Sequence, residues 1–280
     1  MDQKIILISG ATAGIGKAAC AELVKTNSRI VMIARNVQKA SITTEFLKNI
    51  NPKAEIDVIQ GDLSSLDSVR EIAATFCSKY PKLDILINNA GLFQPVRRTS
   101  ADGYEMTFAV NHLSNFLLTR LLLDKLKTAP SAKIITTSSA AQDYARINFG
   151  DLMAENKYSM WPVYCQSKLS NVIFTSKLAS LLSSTAIEVT AFHPGYVHTE
   201  FGRDINGILR MIFNFSMIFA RTPQKGAETL VWLANTSDDS IQSGKFYFDK
   251  KVKKPNPQAL DPDIVNRLWS ISEELTGCTY

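Results

Sequence analysis

The sequence predicts an α/β fold in which a doubly wound, mostly parallel sheet is covered by helices on both faces. Six short apolar runs rich in β-branched residues alternate with longer segments of helical periodicity, and a glycine-rich turn follows the first run directly. Continuous apolar runs are typical of strands buried on both faces of a parallel sheet. The six predicted strands are residues 4–9, 29–34, 54–60, 83–88, 132–138 and 187–192.

No internal repeat, linker or low-complexity tract divides the 280 residues, a length that suits one large α/β domain. We expect a single domain over residues 1–280, with a loop region at about 196–222 and a C-terminal elaboration at about 245–280. Two segments break the strand–helix alternation, residues 140–162 and residues 196–221. Both follow the carboxyl ends of predicted strands, where ligands bind in doubly wound sheets, so both are candidates for a functional site.

Charge and composition exclude several classes of protein. The formal net charge of +5 is spread along the chain, and its one dense basic patch is KKVKK at residues 250–254. We interpret this patch as a solvated loop; contact with an anionic surface is the alternative. Because no stacking platform or recognition-helix pattern occurs, nucleic-acid binding is not expected. The three histidines and four cysteines lack metal-ligand spacing, so no metal site is expected. These residues are His112, His193, His198, Cys20, Cys77, Cys165 and Cys278.

The N-terminus begins almost directly with the first apolar run and has no secretory signal pattern. The sequence has no run of about 18 uncharged apolar residues, so no transmembrane helix is expected. The nearest candidate, residues 208–221, is short and is interrupted by Arg210. Together with the scattered cysteines, these features predict an intracellular protein, cytoplasmic or peripherally associated with a membrane, and not secreted.

The stretch SGATAGIG follows the first predicted strand, and Gly10, Gly14 and Gly16 open what the pattern predicts to be a helix. Glycine tolerates positive φ and lets other groups approach the backbone closely. The unpaired N–H groups and the dipole at a helix start attract phosphate. The spacing is GxxxGxG and not GxGxxG, so a tight turn without a ligand is the alternative interpretation.

The stretch YCQSK places Tyr164 and Lys168 four residues apart, in a segment that resembles the start of a helix with Pro162 in its first turn. Residues four apart lie on the same face of a helix. A nearby ammonium group would lower the pKa of the phenol, which suits a general acid or base. Taken alone, this spacing arises often by chance, and two ordinary surface residues are the alternative. Cys165 should point away from the pair and is assigned no role.

Seven motifs occur in a fixed order: SGATAGIG, DL at 62–63, NNAG at 88–91, VNHLSNFLLT from Val110, SS at 138–139, YCQSK, and PGYVHT from Pro194. In this order and spacing the chain resembles the short-chain dehydrogenase/reductase family, whose members have a Rossmann fold. GATAGIGK, VNHLSNFLLT and YCQSKLSNVIF resemble in particular its retinol dehydrogenase-like branch. The resemblance implies an oxidoreductase that transfers hydride between a nicotinamide cofactor and a carbonyl compound or alcohol.

The resemblance also implies roles for individual residues. Tyr164 would be the general acid and base, and Lys168 would support it and hold the nicotinamide ribose. Ser139, the second serine of its pair, would donate to the substrate oxygen, while Asn111 would support a water relay to the lysine. The expected cofactor-binding residues are Gly10, Thr12, Ala13, Gly14, Ile15, Gly16, Arg35, Asn36, Asp62, Leu63, Asn89, Ala90, Gly91, Tyr164, Lys168, Pro194, Gly195, Val197 and Thr199.

The end of the second strand predicts which nicotinamide cofactor is bound. Folds that prefer NAD often place an acidic residue there, on the ribose 2′-hydroxyl, whereas this chain has Arg35 and Asn36. Arg35 can hold a 2′-phosphate by charge-assisted hydrogen bonds, so NADP(H) is expected in preference to NAD(H). A solvated loop arginine is the alternative. Ala13 stands where many NADP-preferring relatives carry a basic residue, which leaves Arg35 with more of the discrimination.

The apolar residues at 208–219 predict the substrate class. They would form a lid over an apolar aldehyde, ketone or alcohol, such as a retinoid, an isoprenoid, a steroid or a lipid-like carbonyl compound, or contact a membrane surface peripherally. A core helix or a homodimer contact is the alternative. Two further functions stay open: an NADP(H)-binding regulator or scaffold without turnover, and a C=C reductase of the same fold.

Overall fold

The computed structural model of the protein describes residues 3–197, 220–236 and 240–280. The strands within these residues are β1 Lys4–Ser9, β2 Ser28–Ala34, β3 Glu55–Gln60, β4 Ile85–Asn88, β5 Ala132–Thr137, β6 Ile187–Phe192, β7 Phe246–Phe248 and β8 Lys251–Lys253. They form one sheet in the order β3-β2-β1-β4-β5-β6-β7-β8. The crossover from β3 back past β1 to β4 is the point where the strand order reverses, and a ligand crevice opens beside such a point.

The first six strands lie where the apolar runs predict them, and they pair in parallel. β4 begins at Ile85, two residues later than predicted, because the N–H of Leu83 donates to the carbonyl of Lys125 at a helix end. The predicted α/β fold with a doubly wound, mostly parallel sheet is confirmed.

The interpretation of KKVKK as a loop is wrong, because its central residues form the edge strand β8. This strand pairs antiparallel with β7, and Asp249 and Lys250 between them have φ of 46° and 62°. Two central residues with positive φ make the hairpin turn whose twist matches the flanking strands, usually signalled by Asn-Gly or Asp-Gly. The pair Asp-Lys gives no such signal. A short, lysine-rich edge is also poorly suited to pairing with another chain.

Helices cover both faces of the sheet. On one face lie α1 Gly14–Leu23, α2 Val37–Ile50 and α6 Pro223–Asn235, and on the other lie α3 Leu66–Lys79, α4 Ser114–Lys127 and α5 Met160–Leu181, with α7 Pro262–Thr276 packed outside α4 and α5. Successive side chains of a strand point to opposite faces. Ile6 and Ile8 of β1 therefore pack in the first layer while Leu7 packs in the second, which explains why the whole strand is apolar.

The helix that carries the VNHLSN motif starts irregularly. A short turn at Met106–Phe108 leads into a π-helical turn at Ala109–Leu113, and α4 then continues in regular α-helical form. Such π-helical turns are rare and are frequently found at functional sites. All five residues of this turn are buried, so its backbone lies in the interior, beside the carboxyl edge of the sheet.

The long connection between β5 and α5 is organised by side chains. It opens with a 3₁₀ helix at Ala140–Tyr144, and Asn256 donates from its side chain to the carbonyl of Gln142 at 2.8 Å. The side-chain oxygen of Gln166, on α5, accepts from the N–H of Asn148 at 2.8 Å. The C-terminal segment and α5 thus both fix the connection next to the end of β5.

No helix within the three described ranges is long and apolar enough to cross a bilayer. The apolar residues predicted as a lid, 208–219, lie outside the described residues.

Candidate active site

The glycine turn lies between β1 and α1, at the carboxyl edge of the sheet. Gly10 and Gly14 have φ of 67° and 52°, a region that glycine adopts without strain. A Cβ atom on Gly16 would lie 2.2 Å from the main-chain oxygen of Gly10 and 2.6 Å from Nδ2 of Asn89. The turn therefore closes on itself so tightly that glycine is required at position 16.

Asn89 and Ser9 hold this turn against the end of β4. Nδ2 of Asn89 donates to the main-chain oxygens of Ser9 and Gly10, at 3.1 and 3.2 Å. The Ser9 hydroxyl accepts from the N–H groups of Asn89 and Ala90, both at 3.0 Å. These hydrogen bonds join the end of β1 to the residues that follow β4, and so fix the position of the glycine turn.

The start of α1 fits the phosphates of a dinucleotide. Its N-cap residue, Ala13, gives no side-chain cap, whereas Asn36 and Ser65 cap α2 and α3 by accepting from backbone N–H groups. The half-buried Thr12 and Ile15 flank this helix start. Unpaired N–H groups at a helix N-terminus, together with the helix dipole, favour an anion. The glycine turn brings these groups to the edge of the crevice.

Arg35 and Asp62 come together beyond the ends of β2 and β3. Nη1 of Arg35 lies 3.7 Å from Oδ2 of Asp62, and the arginine side chain is 76% exposed, which leaves its guanidinium able to meet a further anion. The side chain of Asn36 is used as the cap of α2, accepting from the N–H of Lys39 at 2.8 Å. Leu63, which follows Asp62, is partly buried and packs against the hydrophobic core.

Tyr164, Lys168 and Ser139 meet beyond the end of β5. Tyr164 and Lys168 lie on α5, which begins at Met160 with Pro162 in its first turn as predicted. The side-chain nitrogen of Lys168 lies 5.8 Å from the centroid of the Tyr164 ring, and the Tyr164 hydroxyl shares a hydrogen bond with Ser139. The neighbouring serine, Ser138, faces elsewhere: it is buried and donates to the carbonyl of Lys168 at 2.7 Å.

Burial is the largest cause of the pKa shifts of Tyr164 and Lys168. It raises the pKa of Tyr164 to about 12, although the hydrogen bond with Ser139 lowers it, and it lowers the pKa of Lys168 to about 8. The sequence-based expectation that the ammonium lowers the pKa of the phenol is therefore wrong. Desolvation disfavours the charged form of both groups, and it is the largest cause of both pKa shifts.

Asn111 ties the π-helical turn to α5 and to the end of β4. Its Oδ1 accepts from the N–H of Leu92 at 2.8 Å, and its Nδ2 donates to the carbonyl of Leu92 and to the hydroxyl of Ser167 at 3.1 and 2.9 Å. Ser167 donates in turn to the carbonyl of Tyr164 at 2.8 Å. A Cβ atom on Gly91 would lie 3.2 Å from the Lys168 nitrogen, so Gly91 lies directly against the lysine head group.

The turn after β6 reaches back to the glycine turn. Gly195 has φ of 84° and follows the half-buried Pro194. Val197 is buried, and a Cβ atom on Gly226 of α6 would lie 2.7 Å from the Val197 side chain and 3.4 Å from that of Ile15. The turn predicted for the nicotinamide end of the cofactor therefore lies near the helix start predicted for its phosphates. Thr199 lies outside the described residues.

Two aromatic side chains stand beside Tyr164. The Phe93 ring meets it edge-on, with centroids 5.1 Å apart, and the Trp161 ring lies 6.1 Å from it. Trp161 is 50% exposed, and large aromatic side chains are usually more deeply buried. The mouth of the site at Tyr164 is therefore apolar.

Comparison with known proteins decides the family. The sequence profile of the short chain dehydrogenases matches residues 4–207. The chain belongs to the short-chain dehydrogenase family. As an oxidoreductase of this family it acts on alcohols or carbonyl compounds with a nicotinamide cofactor, and the glycine turn and uncapped α1 described above fit that cofactor.

Curated relatives place this short-chain dehydrogenase in the retinol dehydrogenase-like branch. It is 38% identical to human retinol dehydrogenase 14 over 293 residues, covering 99% of this chain and 87% of the relative. It is 37% identical to human retinol dehydrogenase 13 over 280 residues, covering 98% and 85%. These identities over nearly the full length confirm the branch predicted from the motifs.

Solved structures agree on the fold of this short-chain dehydrogenase. A protein of unassigned function from Mycobacterium paratuberculosis superposes with a TM-score of 0.81 at 29% identity, covering 99% of this chain and 95% of that one. RhlG from Pseudomonas aeruginosa, solved with NADP in its active site, superposes with a TM-score of 0.69 at 23% identity, covering 87% and 93%.

Four residues at the site of this short-chain dehydrogenase are not among those predicted from the sequence: Ser9, Phe93, Trp161 and Ser167. Ser9 is the one polar residue at the end of an apolar strand, and Ser167 lies inside YCQSK, so both carry a signal in hindsight. Phe93 lies in an irregular segment, and Trp161 lies 68 positions later at the start of α5. Their meeting depends on how two loops fold, which periodicity does not predict.

Proposed function

We propose that this short-chain dehydrogenase is an NADP(H)-dependent oxidoreductase that transfers hydride between nicotinamide and an apolar aldehyde, ketone or alcohol, with Tyr164 as general acid and base. The observation that carries the proposal is the meeting of three polar side chains, from Ser139, Tyr164 and Lys168, beside the crevice of the glycine turn. The residues are buried or half-buried, so their hydrogen bonds act in a region of low dielectric constant.

Tyr164 supplies the proton in the direction of carbonyl reduction. Because its pKa is raised to about 12, the hydroxyl is protonated at neutral pH and can donate to the substrate oxygen as negative charge develops there. In the direction of alcohol oxidation it takes this proton back. When bound, the cofactor supplies or accepts the hydride, and its oxidised form adds a positive charge that favours the phenolate.

Lys168 and Ser139 support that proton transfer in different ways. The Lys168 ammonium faces the tyrosine ring and donates to the carbonyl of Thr137 at 3.2 Å, which fixes its position near the phenol. Ser139 shares a hydrogen bond with the Tyr164 hydroxyl, so both hydroxyls can meet one substrate oxygen. A positioned donor of this kind contributes roughly 3 kcal/mol to transition-state stabilisation in comparable sites.

Arg35 supports the choice of NADP(H). Its exposed guanidinium lies at the corner where the adenosine ribose would lie, and in the described residues its one ion-pair partner, Asp62, is 3.7 Å away. That separation makes a weak pair, so the arginine can bind a 2′-phosphate without losing a strong contact. The roles of Asn111, Asp62, Asn89 and the turn at Pro194 in cofactor binding belong to the same proposal.

The aromatic mouth supports an apolar substrate. Phe93 and the half-exposed Trp161 lie beside the Tyr164 ring, and flat or conjugated hydrocarbon groups pack well on such rings. Retinoid, isoprenoid, steroid and lipid-like carbonyl compounds fit this description. The names of the related retinol dehydrogenases point to the same class of substrate.

The test is a substrate panel with the wild-type protein and the Tyr164→Phe variant, following NADPH absorbance. We expect wild-type turnover of apolar aldehydes and a loss of roughly 10²–10⁴-fold in kcat for the variant, which lacks the proton donor, with NADPH binding unchanged. Retained turnover by Tyr164→Phe would refute the mechanism. Tight NADPH binding without any turnover by the wild type would favour the regulator, and consumption of enals at the C=C bond would favour the C=C reductase.

A further inference from the structure

Arg221 makes an ion pair that joins two distant segments of the chain. Nη1 and Nη2 of Arg221 lie 2.5 and 2.9 Å from the two carboxylate oxygens of Asp249, in the turn between β7 and β8. Such a two-point contact fixes the plane of the guanidinium as well as its position. The turn itself is held to α6, where the N–H of Lys250 donates to the hydroxyl of Thr229 at 3.2 Å.

The same guanidinium lies on an aromatic stack that reaches the end of β6. Its Cζ is 4.8 Å from the centroid of the Phe248 ring. That ring is parallel to the His193 ring, with centroids 4.0 Å apart and planes 7° apart. Burial lowers the pKa of His193 to about 4, so the histidine ring in this stack is neutral at physiological pH.

His193 and Arg221 then hold both sides of the turn at 194–197. Nδ1 of His193 accepts from the N–H of Gly195 at 3.1 Å, and the N–H of Arg221 donates to the carbonyl of Tyr196 at 2.7 Å. A Cβ atom on Gly195 would lie 2.9 Å from Cδ of Arg221. Glycine therefore lets the arginine side chain lie directly on the backbone of the turn.

The held turn borders the crevice of the candidate active site. Val197 bridges to the backbone of Arg221 as a short parallel pair, and its side chain lies against Gly226 of α6, which also neighbours Ile15 at the start of α1. A shift of the turn would therefore move the wall that faces the glycine turn and α1. The Arg221 side chain thus contacts the hairpin turn, the aromatic stack and this turn together.

We propose that Arg221 is a positioning residue whose guanidinium, held between Asp249 and Phe248, fixes the turn at 194–197 and thereby the place of the nicotinamide ring. This inference rests on the proposed function, in which that turn faces the nicotinamide end of NADP(H). Arginine is required because a lysine would keep the charge but lose both the two-point contact and the flat stacking surface.

The experiment compares two ligands that differ only in the nicotinamide end. NADPH and 2′-phospho-ADP-ribose are titrated against the wild type, Arg221→Gln, Arg221→Lys and Asp249→Asn by calorimetry. We expect each variant to bind NADPH on the order of tenfold more weakly, with 2′-phospho-ADP-ribose affinity within about twofold of the wild type. The primary deuterium isotope effect on kcat should rise, because a misplaced nicotinamide makes hydride transfer slower relative to release.

Lys225→Gln is the matched control, because it breaks the exposed Lys225–Glu228 pair one helical turn further on and should leave both affinities unchanged. If the Arg221 variants weaken both ligands equally, or neither ligand, the inference is refuted. The double variant Arg221→Gln with Asp249→Asn should weaken NADPH no more than either single variant; additive losses would also refute it. Failure of the wild type to bind NADPH at all would instead refute the proposed function.

Discussion

The side-chain nitrogen of Lys168 donates to the main-chain oxygen of Thr137 at 3.2 Å, and the side chain of Asn171 donates to the same oxygen at the same distance. The carbonyl would therefore keep a partner if the lysine were removed. Burial lowers the pKa of Lys168 from 10.5 to about 8, so this ammonium is retained in the folded protein at a cost in stability.

We predict that Lys168→Met raises the free energy of unfolding at pH 7 by roughly 2 kcal/mol while it abolishes turnover, because it removes a desolvated charge and keeps an apolar chain of similar length. Below pH 8 the folded state must carry the charge that burial disfavours. As pH rises from 8 toward 10.5, the unfolded chain binds more protons than the folded one, so wild-type stability rises. Urea denaturation of both proteins from pH 7 to 9.5 should show the gap narrowing; a constant gap would contradict the assignment of its cause to charge burial.

Arg35→Asp should raise the KM for NADPH at least tenfold and leave the KM for NADH nearly unchanged. The exposed guanidinium lies 3.7 Å from Asp62, so a second carboxylate there would repel a 2′-phosphate. Lys48→Asp changes the charge equally in the last turn of α2 and serves as control. Steady-state kinetics with both cofactors measure the effect, and an unchanged preference would show that another group holds the phosphate.

Gly16→Ala should destabilise the fold by about 1–3 kcal/mol and weaken NADPH binding, because the added methyl group would meet the Gly10 oxygen at 2.2 Å and overpacking forces the backbone apart. Gly150→Ala is the control, since its Cβ atom would have one neighbour, Asn148, at 3.6 Å among the described atoms. Thermal melts with and without NADPH measure both effects. Equal behaviour of the two variants would count against a tight turn at Gly16.

Asn256→Ala should lower the free energy of unfolding by about 1–3 kcal/mol, because the carbonyls of the buried Gln142 and the half-buried Ala145 would each lose a hydrogen bond. Turnover should fall as well, since Ser139 caps the same 3₁₀ helix. Asn266→Ala, which removes an exposed contact with Lys177, is the control. Chemical denaturation and kcat measured together test the link, and a stable variant with full activity would break it.

The structural features that can be predicted from this sequence are those that depend on neighbouring residues. The first six strands follow from continuous apolar runs, and the pairing of Tyr164 with Lys168 follows from helical spacing, because both need only a few neighbouring residues. The edge strand β8 could not be predicted: Lys251–Lys253 is polar, and it is held by pairing with β7 across a turn without glycine.

The electrostatic prediction failed for a different reason. Helical spacing places Tyr164 and Lys168 on one face of α5, but it does not determine the depth of burial that sets the direction of both pKa shifts. The contacts of Arg221 are likewise distant in the sequence. Its partner Asp249 lies 28 positions away, and no short motif marks the pair.

The π-helical turn at Ala109–Leu113 determines whether the start of this helix can tolerate the deletion of one residue. Such a turn accommodates one more residue than the α-helical turn it replaces, and each residue of a helix advances the direction of the side chains by about 100°. Deleting one residue there would allow a regular helix to run through, but Asn111 could not then face both Leu92 and Ser167 while Phe116 kept its place in the core. The extra residue therefore sets the angle about the helix axis between Asn111, near the start of the helix, and the apolar residues that follow it.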